Sequence, residues 1–207
     1  MRIAICGSGA GSTAAHVIDA AQRGELGAAE VCLVVGNNSG SGIFDVARQR
    51  GVPTRHLSGA THPDPADLDA AMLAAFQVVD ADVIVLAGYM KLLGPQVLAA
   101  FEKRVLNTHP ALLPAYGGQG MYGDRIHAAV LADGAAVTGA TVHAVTADYD
   151  EGPIVGQATV PVEPDDTLET LRARVQQVEK ALLVDCLRDL AGSADPAALV
   201  RARRASR

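Results

Sequence analysis

The chain has no apolar run long enough to cross a membrane or to form a secretory signal core. The opening MRIAICGSGAGST turns to glycine after a few residues, and no later segment qualifies either. Cysteine is scarce: Cys6, Cys32 and Cys186 are far apart, odd in number and without a CxxC pair. That pattern excludes a disulfide scaffold and a zinc site, no metal is expected, and a reducing cytoplasm suits it. An excess of positive charge is also lacking. With 17 Lys and Arg against 23 Asp and Glu, the formal net charge is −6. Nothing draws the whole molecule to nucleic acid or to an anionic membrane, so a phosphorylated ligand has to be held by a local site. Small-molecule partners are expected, with monomer and homodimer both open. No repeat and no long linker divides the chain.

What is present reads as a packed protein. Apolar residues make up 49% and charged residues 19% of 207 positions, the balance of an ordinary globular chain. One domain is expected over residues 1–190. A polar and basic tail, 191–207, is either solvated or in contact with a partner.

Short apolar runs alternate with helical periodicity. Strands are expected at Ile3 to Cys6, Val31 to Val35, Val83 to Ala87 and Arg104 to Asn107. Helices are expected from Ser12 to about Gln22, at Phe44 to Arg50, Ala66 to Val79, Pro95 to Phe101 and Arg125 to Ala132. Thr138 to Val145 and Ile154 to Val162 are rich in β-branched residues and suggest two more strands. A long helix starting near Asp166 or Thr167 carries Leu171, Val175 and Leu187 at helical spacing. The class is α/β: a Rossmann-like, mostly parallel twisted sheet flanked by helices. In such sheets ligands sit at the carboxyl ends of the strands.

Two segments lie where such a ligand would. Gly7-Ser8-Gly9-Ala10-Gly11-Ser12-Thr13 joins the first strand to the first helix, a place where backbone N–H groups and the helix dipole favour an anion. A Walker A loop needs a lysine that is missing here, and a dinucleotide loop wants GxGxxG and an acidic end to the second strand, where Gly36-Asn37-Asn38 stand. A phosphate monoester on Gly11, Ser12 and Thr13 and a plain tight turn both remain open. At the second segment, Asn107 and His109 are two residues apart and face one side of an extended chain. An amide donor and an imidazolium suit the oxyanion of an acyl-transfer intermediate. Asp150 is the candidate carboxylate to orient the ring and raise its pKa.

The stretch NTHPALLPAYGG at Asn107 to Gly118, with His143 and Asp150-Glu151-Gly152-Pro153, resembles the signature of enzymes that transfer a formyl group from 10-formyltetrahydrofolate. The chain is similar throughout to their N-terminal domain, and in size to the glycinamide ribonucleotide (GAR) transformylases among them. The extra domains of the methionyl-tRNA formyltransferases and of the formyltetrahydrofolate hydrolases do not fit this length. The resemblance implies that Asn107 and His109 bind the formyl oxygen and that Asp150 holds His109. It implies GAR contacts from Gly11, Ser12, Thr13, Gln176 and Glu179. It further implies folate contacts from Met90, Lys91, Leu92, Leu93, Asn107, Thr146, Asp148, Tyr149 and Asp150, with 10-formyltetrahydrofolate as co-substrate.

His143 is either a partner behind these residues or a satisfied core histidine, and His127 is expected to be structural. Two departures stand out. Thr13 occupies a position where the family commonly has asparagine, and no arginine lies near His62 to contact the folate. The glycine-rich stretch Gly117 to Asp124 is either a flap or a plain surface loop. The expected activity is formylation of the GAR amine in purine synthesis. The alternatives are hydrolysis of formyltetrahydrofolate, formylation of a sugar nucleotide, and a non-catalytic nucleotide-binding module.

Overall fold

In the computed structural model, which describes residues 1–193, thirteen elements follow one another. They are β1 (Arg2–Gly7), α1 (Ser12–Gln22), β2 (Glu30–Gly36), α2 (Ile43–Gln49), β3 (Thr54–His56), α3 (Pro65–Val78), β4 (Val83–Leu86) and α4 (Pro95–Ala100). β5 (Val105–His109), α5 (Asp124–Ala132), β6 (Val137–Ala144), β7 (Ile154–Pro161) and α6 (Leu168–Ala191) complete the order. The strands form a single sheet in the order β3-β2-β1-β4-β5-β6-β7. The first five are parallel to one another, β6 is antiparallel to β5, and β7 is antiparallel to β6 and so runs with the first five.

The parallel strands are apolar on both faces because helices cover both. On one face Ile3, Ile5 and Leu106 join α1, α2 and α6 through Val17, Phe44 and Leu187. On the other, Ala4, Cys6 and Val105 meet α3 and α4 through Phe76 and Val97. All three cysteines are buried.

Thr167 caps α6 by accepting from the Thr170 N–H, while Asp166, the other cap considered, pairs with Arg174 at 2.7 Å. Asp64 caps α3, with Pro65 in the first turn where its missing N–H costs nothing. Asp69 of α3 is 3% exposed and spends both oxygens on the start of α4, accepting from Gln96 N at 2.7 Å and Val97 N at 3.2 Å.

Three sequence expectations change. β3 was not anticipated: it is three residues of largely polar sequence, recruited by pairing with Val34 to Gly36 at the sheet edge. β5 extends through His109 instead of ending at Asn107, because its last residues pair with Thr141 to His143 of β6. Ala191, expected to open a polar tail, closes α6 instead, and the rest of that expectation, residues 194–207, lies outside the described residues. Among the described residues, no helix is long and apolar enough to cross a membrane.

Candidate active site

The antiparallel register of β5 and β6 sets Asn107 opposite His143. Their side chains meet, Asn107 Nδ2 lying 3.1 Å from His143 Nε2. His143 Nδ1 is 3.1 Å from the Ala144 carbonyl, which can only accept, so that nitrogen carries the proton and Nε2 receives the Asn107 amide. His143 is 2% exposed, and its ring meets the Asn107 side chain. One N–H of the amide is used in this way, and the other remains for a ligand.

His109, two residues along the same face, is 3% exposed. Its Nε2 donates to the Tyr116 carbonyl at 2.8 Å, and its Nδ1 faces Asp150 Oδ2 at 3.4 Å. Asp150 stands in the connection between β6 and β7, with a left-handed φ of 58°. Its Oδ2 accepts the Gly118 N–H at 3.0 Å, and its Oδ1 lies 3.5 Å from His143 Nε2. The carboxylate thus lies between two histidines and is held by one backbone amide. The glycine-rich stretch is part of this frame at its start, through Gly118, while Gln119 and Gly120 are exposed.

Burial and these contacts oppose one another. Desolvation pushes Asp150 up, but His143, His109 and the Gly118 N–H together hold it below the usual carboxylate range. At His109 the balance reverses. Burial pulls the imidazole below its ordinary value, and neither Asp150 nor the Tyr116 carbonyl makes up the difference. This corrects the expectation of a standing imidazolium: the ring is neutral at neutral pH, with its proton on Nε2 and its lone pair on Nδ1. A proton arriving at Nδ1 would find the Asp150 carboxylate already in place.

Asn107, His143 and Asp150 line a cavity of about 870 Å³. Its walls include Lys91, Leu92 and Leu93 on one side, Thr146, Asp148 and Tyr149 on another, and Pro95, Leu98 and Ala99 of α4. The volume is that of a drug-sized ligand. Met90, expected among the folate contacts, lies outside this lining and donates its N–H to Ser8 Oγ at 2.9 Å. That bond ties the loop after β4 to the glycine loop after β1. Leu86 and Tyr89 also line the cavity, and so do Glu102 and Lys103, which nothing in the sequence singled out.

The glycine loop turns at Gly11, with φ of 81°, and α1 starts there without a side-chain cap. Side chains of Ser12 and Thr13 follow in the first turn, Ser12 exposed. A Cβ at Gly11 would stand 2.8 Å from Ile43 Cα, so glycine is required by space as well as by φ. On the same face of the sheet, Glu179 of α6 is half-buried and accepts a hydrogen bond from the Thr108 hydroxyl. Burial of its carboxyl raises its pKa, against the smaller pull of that hydroxyl. Gln176, one turn earlier, is exposed. Sequence reasoning placed Glu179 but missed Thr108, whose alternation away from Asn107 and His109 was the available signal. His127 in α5 is 2% exposed and its Nδ1 lacks a partner among the described residues; it stands apart from the cavity lining.

Comparison with known proteins adds to this geometry. A family model described as formyl transferase matches residues 1–187. The chain is similar to the chloroplastic phosphoribosylglycinamide formyltransferase of Vigna unguiculata, with 36% identity over 189 residues, covering 91% of this chain and 60% of that protein. It is 41% identical over 190 residues to the phosphoribosylglycinamide formyltransferase of Mycobacterium tuberculosis, covering 92% of this chain and 85% of that one. Among solved structures, glycinamide ribonucleotide transformylase 1 from Symbiobacterium toebii aligns with a TM-score of 0.85 at 36% identity, over 92% of this chain and 87% of that one. The chain thus spans about 60% of the length of its Vigna relative.

Proposed function

The chain belongs to the formyl transferase family, and from that premise we propose that it moves the formyl group of 10-formyltetrahydrofolate to the amine of GAR. The observation that carries this reading is the cluster of Asn107, His143 and Asp150 in the wall of the cavity of about 870 Å³, with His109 against Asp150 at 3.4 Å. The names of the relatives supply the acceptor. The folate occupies the cavity, against Lys91 to Leu93 and Thr146 to Asp150. GAR enters from the other face of the sheet, its phosphate on the N–H groups of Gly11, Ser12 and Thr13 and its sugar hydroxyls on Glu179, with Gln176 beside it. The two substrates meet at the end of β5.

The neutral amine attacks the formyl carbon, and the carbonyl oxygen gains negative charge. The free N–H of Asn107 is aimed at that oxygen by His143, so it is pre-set for charge that appears only during reaction. The amine becomes more acidic as its bond to carbon forms, and the lone pair on His109 Nδ1 takes its proton. The resulting imidazolium pairs with Asp150 and stabilises the oxyanion. When the bond to the folate nitrogen breaks, that proton passes to the nitrogen, giving tetrahydrofolate and formylated GAR. No covalent enzyme intermediate is required.

A spectrophotometric assay with 10-formyltetrahydrofolate, with and without GAR, tests the reading. Tetrahydrofolate is expected only when GAR is present. Equal product without GAR would assign hydrolysis instead. Three buried cysteines, far apart in sequence and without a CxxC pair, fit a cytoplasmic enzyme.

A further inference from the structure

Strand β5 presents its two faces to two different substrates under the reading above, on which this inference rests. Asn107 and His109 point to the formyl centre, and Thr108 between them points the other way, towards α6. There its hydroxyl donates to Glu179 Oε1. Glu179 has no cation within ion-pair distance among the described residues. A partly desolvated carboxylate without a counter-charge is costly to a fold and is kept where a ligand completes its hydrogen bonding. An ionised carboxylate offers about four lone-pair directions, and Thr108 fills one on Oε1. The remainder suit donors such as neighbouring sugar hydroxyls.

We propose that Thr108 is a positioning residue for the acceptor: its hydroxyl holds Glu179 in the orientation that receives the sugar hydroxyls of GAR. Acceptor selection is thereby built into the strand that carries the formyl-binding residues. The single position 108 reads the sugar through Glu179, while positions 107 and 109 read the formyl group directly. A side chain of the same shape without a hydroxyl leaves Glu179 free to turn away and weakens GAR without touching the folate cavity, which Thr108 does not line.

The test compares wild type, Thr108→Val and Thr108→Ser, with Glu179→Gln and the Thr108→Val/Glu179→Gln double variant. kcat and KM are measured for GAR and for 10-formyltetrahydrofolate separately, and Tm is recorded for each protein. Thr108→Val is expected to raise KM for GAR about tenfold, the usual weight of a hydrogen bond to a charged group, with KM for the folate within about twofold. Thr108→Ser is expected to restore KM for GAR. The double variant is expected to be no worse than Glu179→Gln by more than about twofold, since the two residues act as one unit. A KM for GAR unchanged in Thr108→Val overturns the inference alone. So does a rise of both KM values together with a lower Tm, which marks a structural role. Wild type that neither formylates nor binds GAR overturns the functional reading and this inference with it.

Discussion

The two regions proposed above to bind ligands are built from different materials. The loop from Gly7 to Thr13 is a continuous stretch of chain whose useful groups are backbone N–H donors, shaped by glycine and by the start of a helix. The formyl centre is assembled from side chains of β5, β6 and the β6–β7 connection, brought together by an antiparallel register and by two backbone groups of the following loop. A site of the first kind tolerates exchange of its side chains and fails when its backbone shape is lost. A site of the second kind fails when one side chain loses one atom. Ser8 links them, holding the Met90 N–H, so that the backbone-built site and the cavity wall share a hydrogen bond.

The sharpest way to break that contrast is at the carboxylate. Asp150→Asn keeps the shape but removes the charge awaiting a proton on His109, and kcat is expected to fall about a hundredfold to ten-thousandfold, the weight of general acid–base catalysis. Stopped-assay kinetics with saturating substrates checks this, and unchanged turnover would remove Asp150 from the mechanism.

The pH profile follows from the same pair. Because burial holds His109 below its ordinary value of 6.5, the neutral ring predominates at pH 7. Turnover that needs the neutral ring is therefore flat around neutrality and lost as pH falls through the depressed pKa. Asp150 is one of the groups that raise His109, so the residual activity of Asp150→Asn is expected to carry its acid limb at lower pH. A limb displaced upward would contradict the assignment.

Smaller effects are expected on the backbone side. Gly11→Ala forces a Cβ against Ile43 in a left-handed conformation, a strain of roughly 1–3 kcal/mol, and KM for GAR should rise about tenfold while KM for the folate holds. Smallest of all is Thr13→Ala, which leaves every N–H in place: a change in KM for GAR within about threefold is expected, a lost neutral hydrogen bond being of that order at a solvated site. If Thr13→Ala proved more damaging than Gly11→Ala, the loop would have to be reclassified as a side-chain site.

Much of this was visible in the residues. Glycines 7, 9 and 11 between an apolar run and a helix, and the Asn-x-His pair at a strand end, each carry a physical reason that does not need coordinates. What escaped reading depended on distant partners. β3 exists because β2 offers it an edge, not because Thr54-Arg55-His56 favours a strand. The charge state of His109 was misjudged because a nearby carboxylate can be guessed from sequence, whereas the depth of burial that outweighs it cannot. Glu179 finds Thr108 across 71 residues of chain, a distance over which no local pattern reports.

Asp69 shows how far the cavity's shape reaches into the fold. It touches nothing in the cavity, yet its two oxygens fasten the first turn of α4, whose Pro95, Leu98 and Ala99 form a wall. Gly94 lies against that carboxylate so closely that any Cβ would overlap it. The wall is therefore keyed in place by a charge and a missing side chain and not by apolar packing alone, so it resists sliding along α3 as an oily contact would not. A compound that enlarges the cavity by pressing on Leu98 would have to work against two hydrogen bonds to the buried Asp69 carboxyl, whereas one that reaches outward past the exposed Leu92 and Tyr149 would meet side chains free to yield.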